Sequence, residues 1–276
     1  MRVLTSPAAE DRDNEDAVWV GDGVVVLVDG AGLPKEQRAG CTHSVAWFAQ
    51  QVARTFGERL SEARGEAHSR GMREALRETI TRVAAAHGPD CDLGAGSPSG
   101  TVVAWRVGTD DVELLTLCDS SIVVVGETAQ HVTDDRIDHA LQPLVETGIQ
   151  EDVRRGIPVD SERRWHHHRV ALEATRNQPG GWWCVHHDPA AADEALVRTL
   201  PRAGLRHLIA ASDGATRAFD LLGTHSLAEF VAACVAGHPE QIRDAVRQAE
   251  VDEATALQDR GRKVHDDLTI VTVEVS

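Results

Sequence analysis

Aspartates stand at the ends of apolar runs, where a strand would begin or end. Asp16 precedes the β-branched run 17–20, and Asp29 follows the run 24–28. The tripeptide 21–23, Gly-Asp-Gly, separates the two runs and is a strong hairpin-turn signal. Because the strands of a hairpin are antiparallel, Asp16 and Asp29 are predicted to lie together at its open end.

Three further aspartates occupy equivalent positions later in the chain. Asp213 follows the buried-strand pattern 205–211, and Asp266 precedes the alternating run 268–275. If those two runs pair antiparallel, their carboxylates also share one end. Asp119 is predicted to stand at the tip of another hairpin, between the runs 112–118 and 122–125. The sequence therefore predicts a group of carboxylates at the edge of a sheet.

Such a group implies a chemistry, because neighbouring carboxylates repel one another unless they are protonated or paired with cations. No cluster of Lys or Arg is evident beside these positions. All-oxygen ligands suit the hard ions Mg²⁺ and Mn²⁺ rather than zinc or copper. Gly30 and Gly214, each directly after an Asp, would admit a close approach of backbone and metal-bound water. The alternative for any single Asp-Gly pair is an ordinary turn.

The remaining patterns predict elements that could position these acids. Apolar residues at spacings of three and four predict helices, and β-branched runs predict strands. Helices are expected at 45–60, 72–86, 226–236 and 239–259, with strands at 101–107, 112–118 and 122–125. Residues 134–180 are polar and are expected to be a partly helical, flap-like insert. Strand and helix do not alternate regularly, which favours a single α+β domain of two mainly antiparallel sheets flanked by helices.

Composition excludes several classes of function. The net charge is −16, and lysine occurs only at Lys35 and Lys263, so binding to nucleic acid is not expected. No apolar run could span a membrane and no signal stretch is seen, so a cytoplasmic protein is expected. A monomer is also expected. The five cysteines are an odd number without a Cys-x-x-Cys pair, which disfavours a disulfide framework and a structural zinc site.

The acidic positions fall within motifs that recur in a known family. The chain resembles the PPM (type 2C) metal-dependent serine/threonine protein phosphatases of the bacterial type. The resemblance rests on six short blocks in the family's order: Asn-Glu-Asp-Ala at 14–17, Val-Asp-Gly-Ala-Gly at 28–32, Ser-Gly-Thr at 99–101, Cys-Asp-Ser at 118–120, Ala-Ser-Asp-Gly at 211–214 and Asp-Asp-Leu-Thr-Ile-Val at 266–271.

The resemblance implies a four-layer α-β-β-α sandwich with a site for two Mg²⁺ or Mn²⁺ ions at one edge. It implies that a hydroxide bridging the ions hydrolyses phosphoserine or phosphothreonine in protein substrates. By this resemblance Asp29 bridges both metals and the Gly30 carbonyl binds one of them. The other implied ligands are Asp213, Asp266, Asp16 or Glu15 through water, and Asp119 for a third ion found in some members.

Four positions depart from the family's pattern. Ala31 stands where many members carry a histidine, Asp267 replaces an asparagine, and Cys118 replaces a glycine. Arg12 is the candidate for the phosphate-binding arginine, although it lies one residue closer to the first acidic motif than usual. The missing histidine and the altered glycine leave open a non-catalytic module that binds phosphoproteins or signalling partners. The same site chemistry would also serve a metal-dependent hydrolase of small phosphate esters or nucleotides.

Overall fold

The computed structural model of the protein describes residues 1–32, 40–62 and 71–275. Ten strands are present in this part of the chain: β1 Arg2–Ser6, β2 Asp16–Gly21, β3 Val24–Ala31, β4 Ser99–Val107, β5 Asp111–Leu117, β6 Ser121–Val125, β7 Ala129–Val132, β8 Leu196–Pro201, β9 His207–Ala211 and β10 Leu268–Glu274. The helices are α1 Val45–Glu62, α2 Met72–Ala86, α3 Arg136–Arg154, α4 Ser161–Thr175, α5 Asp213–Asp220, α6 Leu227–Ala236, α7 Pro239–Asp252 and α8 Ala254–Asp259, with a 3₁₀ helix at Pro189–Glu194.

The strands form two antiparallel sheets of five strands each. Sheet I has the order β2-β3-β4-β5-β8, and sheet II has the order β1-β10-β9-β6-β7. The hairpin expected around Asp119 is therefore wrong, because β5 and β6 lie in different sheets and the Asp119 turn crosses between them. Helices α1 and α2 cover the outer face of sheet I, while α5, α6 and α7 cover that of sheet II. The predicted four-layer α-β-β-α sandwich is confirmed.

Strand β3 shows why its sequence is apolar throughout rather than alternating. Val24, Val26 and Val28 pack against the helices of sheet I. Val25 and Leu27 point the other way, into the layer between the two sheets. A strand that is covered on both faces has no solvent-facing positions, so every position favours an apolar residue. This burial holds the end of β3, and with it Asp29, in a fixed place.

The insert at 134–180, which follows β7 of sheet II in the sequence and precedes β8 of sheet I, contains the antiparallel helices α3 and α4. Few residues of these helices are buried, and one of the buried residues is Asp152. Its Oδ1 accepts a hydrogen bond from Arg163 Nη2 at 2.8 Å, and its other oxygen pairs with Arg163 and His167. The helix pair is therefore stabilised by its own ion cluster.

Several elements were not predicted. Strands β1 and β8 lie at sheet edges, where exposure removes the apolar signal. Helix α5 begins at Asp213, where the Asp-Gly pair suggested a turn. The single helix expected over 239–259 is two helices, α7 and α8, which meet at Glu253. No helix among the described residues is long and apolar enough to cross a bilayer.

Candidate active site

The first pair of carboxylates lies at the open end of the β2–β3 hairpin. Asp16 and Asp29 are direct partners in the antiparallel register. Asp16 is 8% exposed, and Asp29 is partly buried. The Gly30 N–H donates a hydrogen bond to the Glu15 carbonyl oxygen at 3.1 Å. A Cβ at position 30 would lie 2.6 Å from that oxygen, so the site requires glycine there.

The second pair comes from sheet II. Asp213 is the first residue of α5, directly after β9, and Asp266 lies just before β10. Strands β9 and β10 are antiparallel neighbours, which meets the condition under which Asp213 and Asp266 were expected to share one end. A Cβ on Gly214 would lie 1.9 Å from the Asp267 carbonyl oxygen and 3.4 Å from the Asp266 Cβ. Glycine therefore brings the start of α5 against the segment that carries Asp266.

Ser212 joins the two sheets at this edge. Its hydroxyl donates to Asp16 Oδ2 at 2.9 Å and accepts the Thr269 N–H at 2.9 Å. Asp16 belongs to sheet I and Thr269 to sheet II, so one buried hydroxyl fixes their relative position. No role was predicted for Ser212. Its place between a strand end and an Asp-Gly pair was the only available signal.

The electrostatics show how closely the carboxylates converge. Burial raises the pKa of Asp29 well above its ordinary value, and the charges of Asp16, Asp213 and Asp266 raise it further. A hydrogen bond between the carboxyl groups of Asp29 and Asp213 acts in the same direction. For Asp266, burial and then the charge of Asp213 raise the pKa. The four side chains thus share one environment in which full ionisation is unfavourable.

Asp16 and Asp119 are the remaining acids of this group, and the pKa of each is also raised. Burial raises the pKa of Asp16 to about 7, although hydrogen bonds with Thr269 and Ser212 oppose the shift. Burial also raises the pKa of Asp119 to about 7, with a further contribution from the charge of Asp213. The structure therefore brings all five predicted acids to one edge of the paired sheets.

The donor set fits hard divalent cations. Asp16 Oδ1 is buried and has no hydrogen-bond partner among the described residues, and an orphaned buried oxygen of this kind is unfavourable without a ligand. Carboxylate and carbonyl oxygens are the ligands that Mg²⁺ and Mn²⁺ take. Cations at this edge would stabilise the ionised carboxylates, whose pKa values are raised by burial and further by repulsion.

Two protein cations lie beside Asp266, contrary to the expectation that no basic groups accompany the acids. Lys263 Nζ lies 3.1 Å from Asp266 Oδ1, and Arg217 Nη2 lies 3.1 Å from Oδ2. Arg217 also pairs with the buried Glu250 at 2.9 Å. A metal ion bound by Asp266 would compete with the exposed Lys263 ammonium. The sequence did not reveal this because Arg217 is four residues beyond Asp213, on the next helical turn.

Asp267 acts on the backbone. Its Oδ1 accepts the N–H of Ala8 and its Oδ2 accepts the N–H of Glu15, each at 2.7 Å. The side chain thereby fixes the segment that enters β2 and carries Glu15 and Asp16. Its charge adds to the burial that raises the pKa of Glu15.

The backbone conformation of Cys118 explains why the family's motif carries a glycine at this position. The residue has φ of +68°, in the left-handed region that favours glycine. Its N–H donates to Asp134 Oδ2 at 3.1 Å, and the next carbonyl, that of Asp119, accepts the Thr133 hydroxyl at 3.2 Å. These bonds hold the turn that presents Asp119 to the acidic edge.

A cleft of about 420 Å³ opens beside Asp16. Polar side chains and one tryptophan line it, and they include Asn14, Ser44, Trp47 and Gln50. Arg12 lies on an exposed turn at the same edge, near enough for its charge to oppose the raised pKa of Glu15. The structure thus places Arg12 near the acids.

Comparison with known proteins establishes the fold. No protein-family model matches the chain, and no curated protein matches it. Among solved structures, one titled as a bacterial serine phosphatase is similar over 100% of this chain and 97% of its own, at 15% identity and a TM-score of 0.57. The catalytic domain of the phosphatase PstP in complex with two manganese ions has 16% identity, coverage of 100% and 97%, and a TM-score of 0.53.

A third solved structure is the PPM Ser-Thr phosphatase MsPP from Mycobacterium smegmatis in complex with cacodylate. It has 19% identity, covers 100% of this chain and 97% of its own, and gives a TM-score of 0.52. The resemblance inferred from the six sequence blocks is therefore confirmed at the level of the fold: the chain has the fold of bacterial PPM-type serine/threonine phosphatases.

Proposed function

We propose that the chain is a metal-dependent protein serine/threonine phosphatase. The observation that carries the proposal is the convergence of carboxylates from both sheets at one edge. Asp16 and Asp29 come from sheet I, Asp213 and Asp266 from sheet II. Burial first, and then their mutual repulsion, raise the pKa of Asp16, Asp29 and Asp266, and bound divalent cations would stabilise the ionised carboxylates against both effects. The similarity to a phosphatase holding two manganese ions supports it.

Different residues would have different roles in the site. Two Mg²⁺ or Mn²⁺ ions would be bound by Asp29, Asp213, Asp266 and the Gly30 carbonyl. Asp16 would support these ligands, and Asp119 offers a ligand for a third ion. Bound ions of this kind supply an acidified water and neutralise phosphoryl charge. Ser212 and Asp267 hold the acids in register. Asp29, Asp213 and Asp266 are the residues on which hydrolysis depends.

The cleft beside Asp16 is the place for a phosphoserine or phosphothreonine segment. Its wall offers the Ser44 hydroxyl, the Gln50 amide and the Trp47 ring for contacts with a peptide. Arg12, on the exposed turn nearby, is positioned to grip phosphate. On this proposal residues 1–276 form one phosphatase domain with residues 134–180 as a flap, acting in signalling as a cytoplasmic monomer.

Hydrolysis of p-nitrophenyl phosphate and a phosphothreonine peptide tests the proposal, with Mn²⁺ or Mg²⁺ added. Wild type is expected to be active only with metal, and Asp213→Asn to lose about 10³-fold or more of the rate, since metal ions supply several kcal/mol of charge stabilisation. Asp22→Asn, at the closed end of the same hairpin as Asp29, is the matched control and is expected to retain activity. Equal rates in wild type and Asp213→Asn would refute the assignment.

A second candidate function rests on a specific observation. Both oxygens of Asp266 already contact cationic side chains, Lys263 and Arg217. If these contacts persist, the fold would serve as a non-catalytic module that binds phosphoproteins. Titration calorimetry decides between the two, because the catalytic form binds Mn²⁺ at millimolar concentration and the module does not.

A further inference from the structure

A second cluster of metal-binding side chains lies outside the acidic edge. Cys41, His43, His87 and Cys91 each present one ligand atom, and all four atoms lie within 4.8 Å of one another. Cys41 and His87 are buried, and the other two are partly buried. We infer that these residues form a structural zinc site that joins the start of α1 to the end of α2.

The distances agree with tetrahedral zinc. Zn–S and Zn–N bonds of usual length place two tetrahedral sulfur ligands about 3.8 Å apart and a sulfur and a nitrogen about 3.6 Å apart. The Cys41 and Cys91 Sγ atoms are 3.7 Å apart. Cys41 Sγ lies 3.3 Å from His87 Nδ1 and 3.6 Å from His43 Nδ1. Cys91 Sγ lies 3.4 Å from His43 Nδ1.

The local backbone brings each pair together. Cys41 and His43 are two residues apart in a non-helical segment, where alternate residues can face the same side. His87 is the C-cap of α2. Gly88 follows with φ of +75°, the left-handed conformation that ends helices and reverses the chain. The reversal returns Cys91 to the side on which His87 lies.

The surroundings orient the ligands. The His43 ring lies 4.0 Å from the Trp47 ring, and the His87 ring 4.9 Å from it, between centroids. Cys41 Sγ also accepts the His43 N–H at 3.3 Å, a bond that a thiolate receives more strongly than a thiol. Contacts that fix the orientation of the imidazole rings and donate a hydrogen bond to the sulfur are typical of the groups around a bound metal.

Charge and chemistry select the ion. Two thiolates and two neutral imidazoles carry a charge of −2, which a divalent ion neutralises. Soft sulfur and imidazole in a closed tetrahedron suit Zn²⁺, whereas Mg²⁺ and Mn²⁺ prefer oxygen. The two clusters therefore take different metals. This assignment reverses the expectation drawn from the missing Cys-x-x-Cys pair, because the ligands here follow the spacing Cys-x-His and His-x₃-Cys.

The packing of the loop shows why the site is closed. Gly40 precedes Cys41, and a Cβ there would lie 2.1 Å from the Asp92 carbonyl oxygen and 2.5 Å from the Gly96 backbone. The segment before α1 thus runs directly against the loop that carries Cys91. A zinc ion here would hold the start of α1 and the end of α2 together as a crosslink does.

Elemental analysis of the untagged full-length protein tests the inference. After exhaustive dialysis against metal-free buffer, wild type is expected to retain one zinc per chain and Cys91→Ser to retain none. Two matched controls are expected to keep their zinc: Cys234→Ser, a buried cysteine of α6, and Asp213→Asn at the acidic edge. Zinc lost from Asp213→Asn but kept in Cys91→Ser would place the ion among the carboxylates and overturn the assignment.

A spectroscopic measurement covers the case in which Cys91→Ser fails to fold. Wild type freed of zinc and loaded with Co²⁺ is expected to show thiolate-to-cobalt charge transfer and the intense visible bands of tetrahedral cobalt. Chelation of zinc is expected to lower the melting temperature of wild type by about 5 °C or more. A Cys41–Cys91 disulfide in protein purified under reducing conditions would contradict the zinc site. Co²⁺ spectra without thiolate bands would also contradict it. Neither result depends on phosphatase activity.

Discussion

At the scale of single residues, Asp29 is unfavourable for the stability of the metal-free fold but is required by the proposed metal site. Its carboxylate is held among Asp16, Asp213 and Asp266, and its pKa is raised well above the ordinary value by burial and by those charges. A chain selected for stability alone would not place an acid there. The proposed metal site gives a reason for keeping it.

Asp29→Asn should therefore separate the two properties. In metal-free buffer the variant is expected to melt a few degrees above wild type, because removing one buried charge relieves repulsion worth on the order of 1 kcal/mol. In the presence of Mn²⁺ the order should reverse, since wild type alone gains stability from bound ions. Thermal unfolding with and without Mn²⁺ measures both. A lower melting temperature for the variant in metal-free buffer would count against the repulsion argument.

Cys118 offers a second residue-scale test, because its φ of +68° strains any side chain. Glycine is usually less stable than alanine within ordered structure by about 0.5–1 kcal/mol. Here the order should invert, and Cys118→Gly should be more stable than Cys118→Ala by about 1 kcal/mol. Urea unfolding of the two variants, which lose the same buried thiol, compares them directly. A more stable alanine variant would show that the turn relaxes.

At the scale of elements, some features were predictable and others were not. The apolar spacing of α1 and the β-branched runs of β2 and β3 carry their own structural signal, so these elements were predicted within a few residues. Helix α5 was not, because its first residues Asp213-Gly214 are also a strong turn signal. The edge strands β1 and β8 contain no fully buried residue, so their sequences carry only a weak apolar signal.

The same contrast applies to the two clusters of possible ligands. The acidic edge was predictable in part, because the β2–β3 hairpin fixes Asp16 and Asp29 at one end. The pairing of β9 with β10, which places Asp213 and Asp266 together, could only be assumed from the sequence. The Cys/His cluster was not, since it joins two loops 46 residues apart, Cys41 to His87. Their proximity depends on how α1 and α2 pack together, which no local pattern reports.

Helix α1 connects the two clusters, so loss of zinc should affect substrate binding. Ser44, directly before α1, and Trp47, in its first turn, line the cleft beside Asp16, and Trp47 packs on His43. Chelated or Cys91→Ser enzyme, assayed with Mn²⁺ on a phosphothreonine peptide, is expected to show a KM raised several-fold with a smaller change in kcat. Cys234→Ser is the control. An unchanged KM would show that the cleft wall does not depend on zinc.

At the scale of the whole molecule, the two sheets meet at an edge where burial raises the pKa of both Asp16 and Asp119 to about 7. Unfolding returns each carboxyl to its ordinary pKa near 4. Between these limits the folded metal-free protein binds more protons than the unfolded chain, so its stability falls as pH rises through about 7. The acidic edge thus couples stability to pH across the whole fold.

The expected result is a melting temperature that falls between about pH 6 and pH 8 in metal-free buffer. Asp16→Asn should flatten this slope, because one of the two titrating groups is removed. Added Mn²⁺ should raise the melting temperature more at pH 8 than at pH 6, since at low pH protons compete for the ligands. A stability that rises with pH in the metal-free protein would contradict the shared environment of these acids.

Anomalous diffraction from crystals soaked in Mn²⁺ would show whether the carboxylates from both sheets form a metal centre. Two manganese peaks are expected in contact with Asp29, one of them also bound by Asp213 and Asp266, with Lys263 displaced from Asp266. Crystals without manganese density between these side chains, and with the Lys263–Asp266 contact intact, would contradict it.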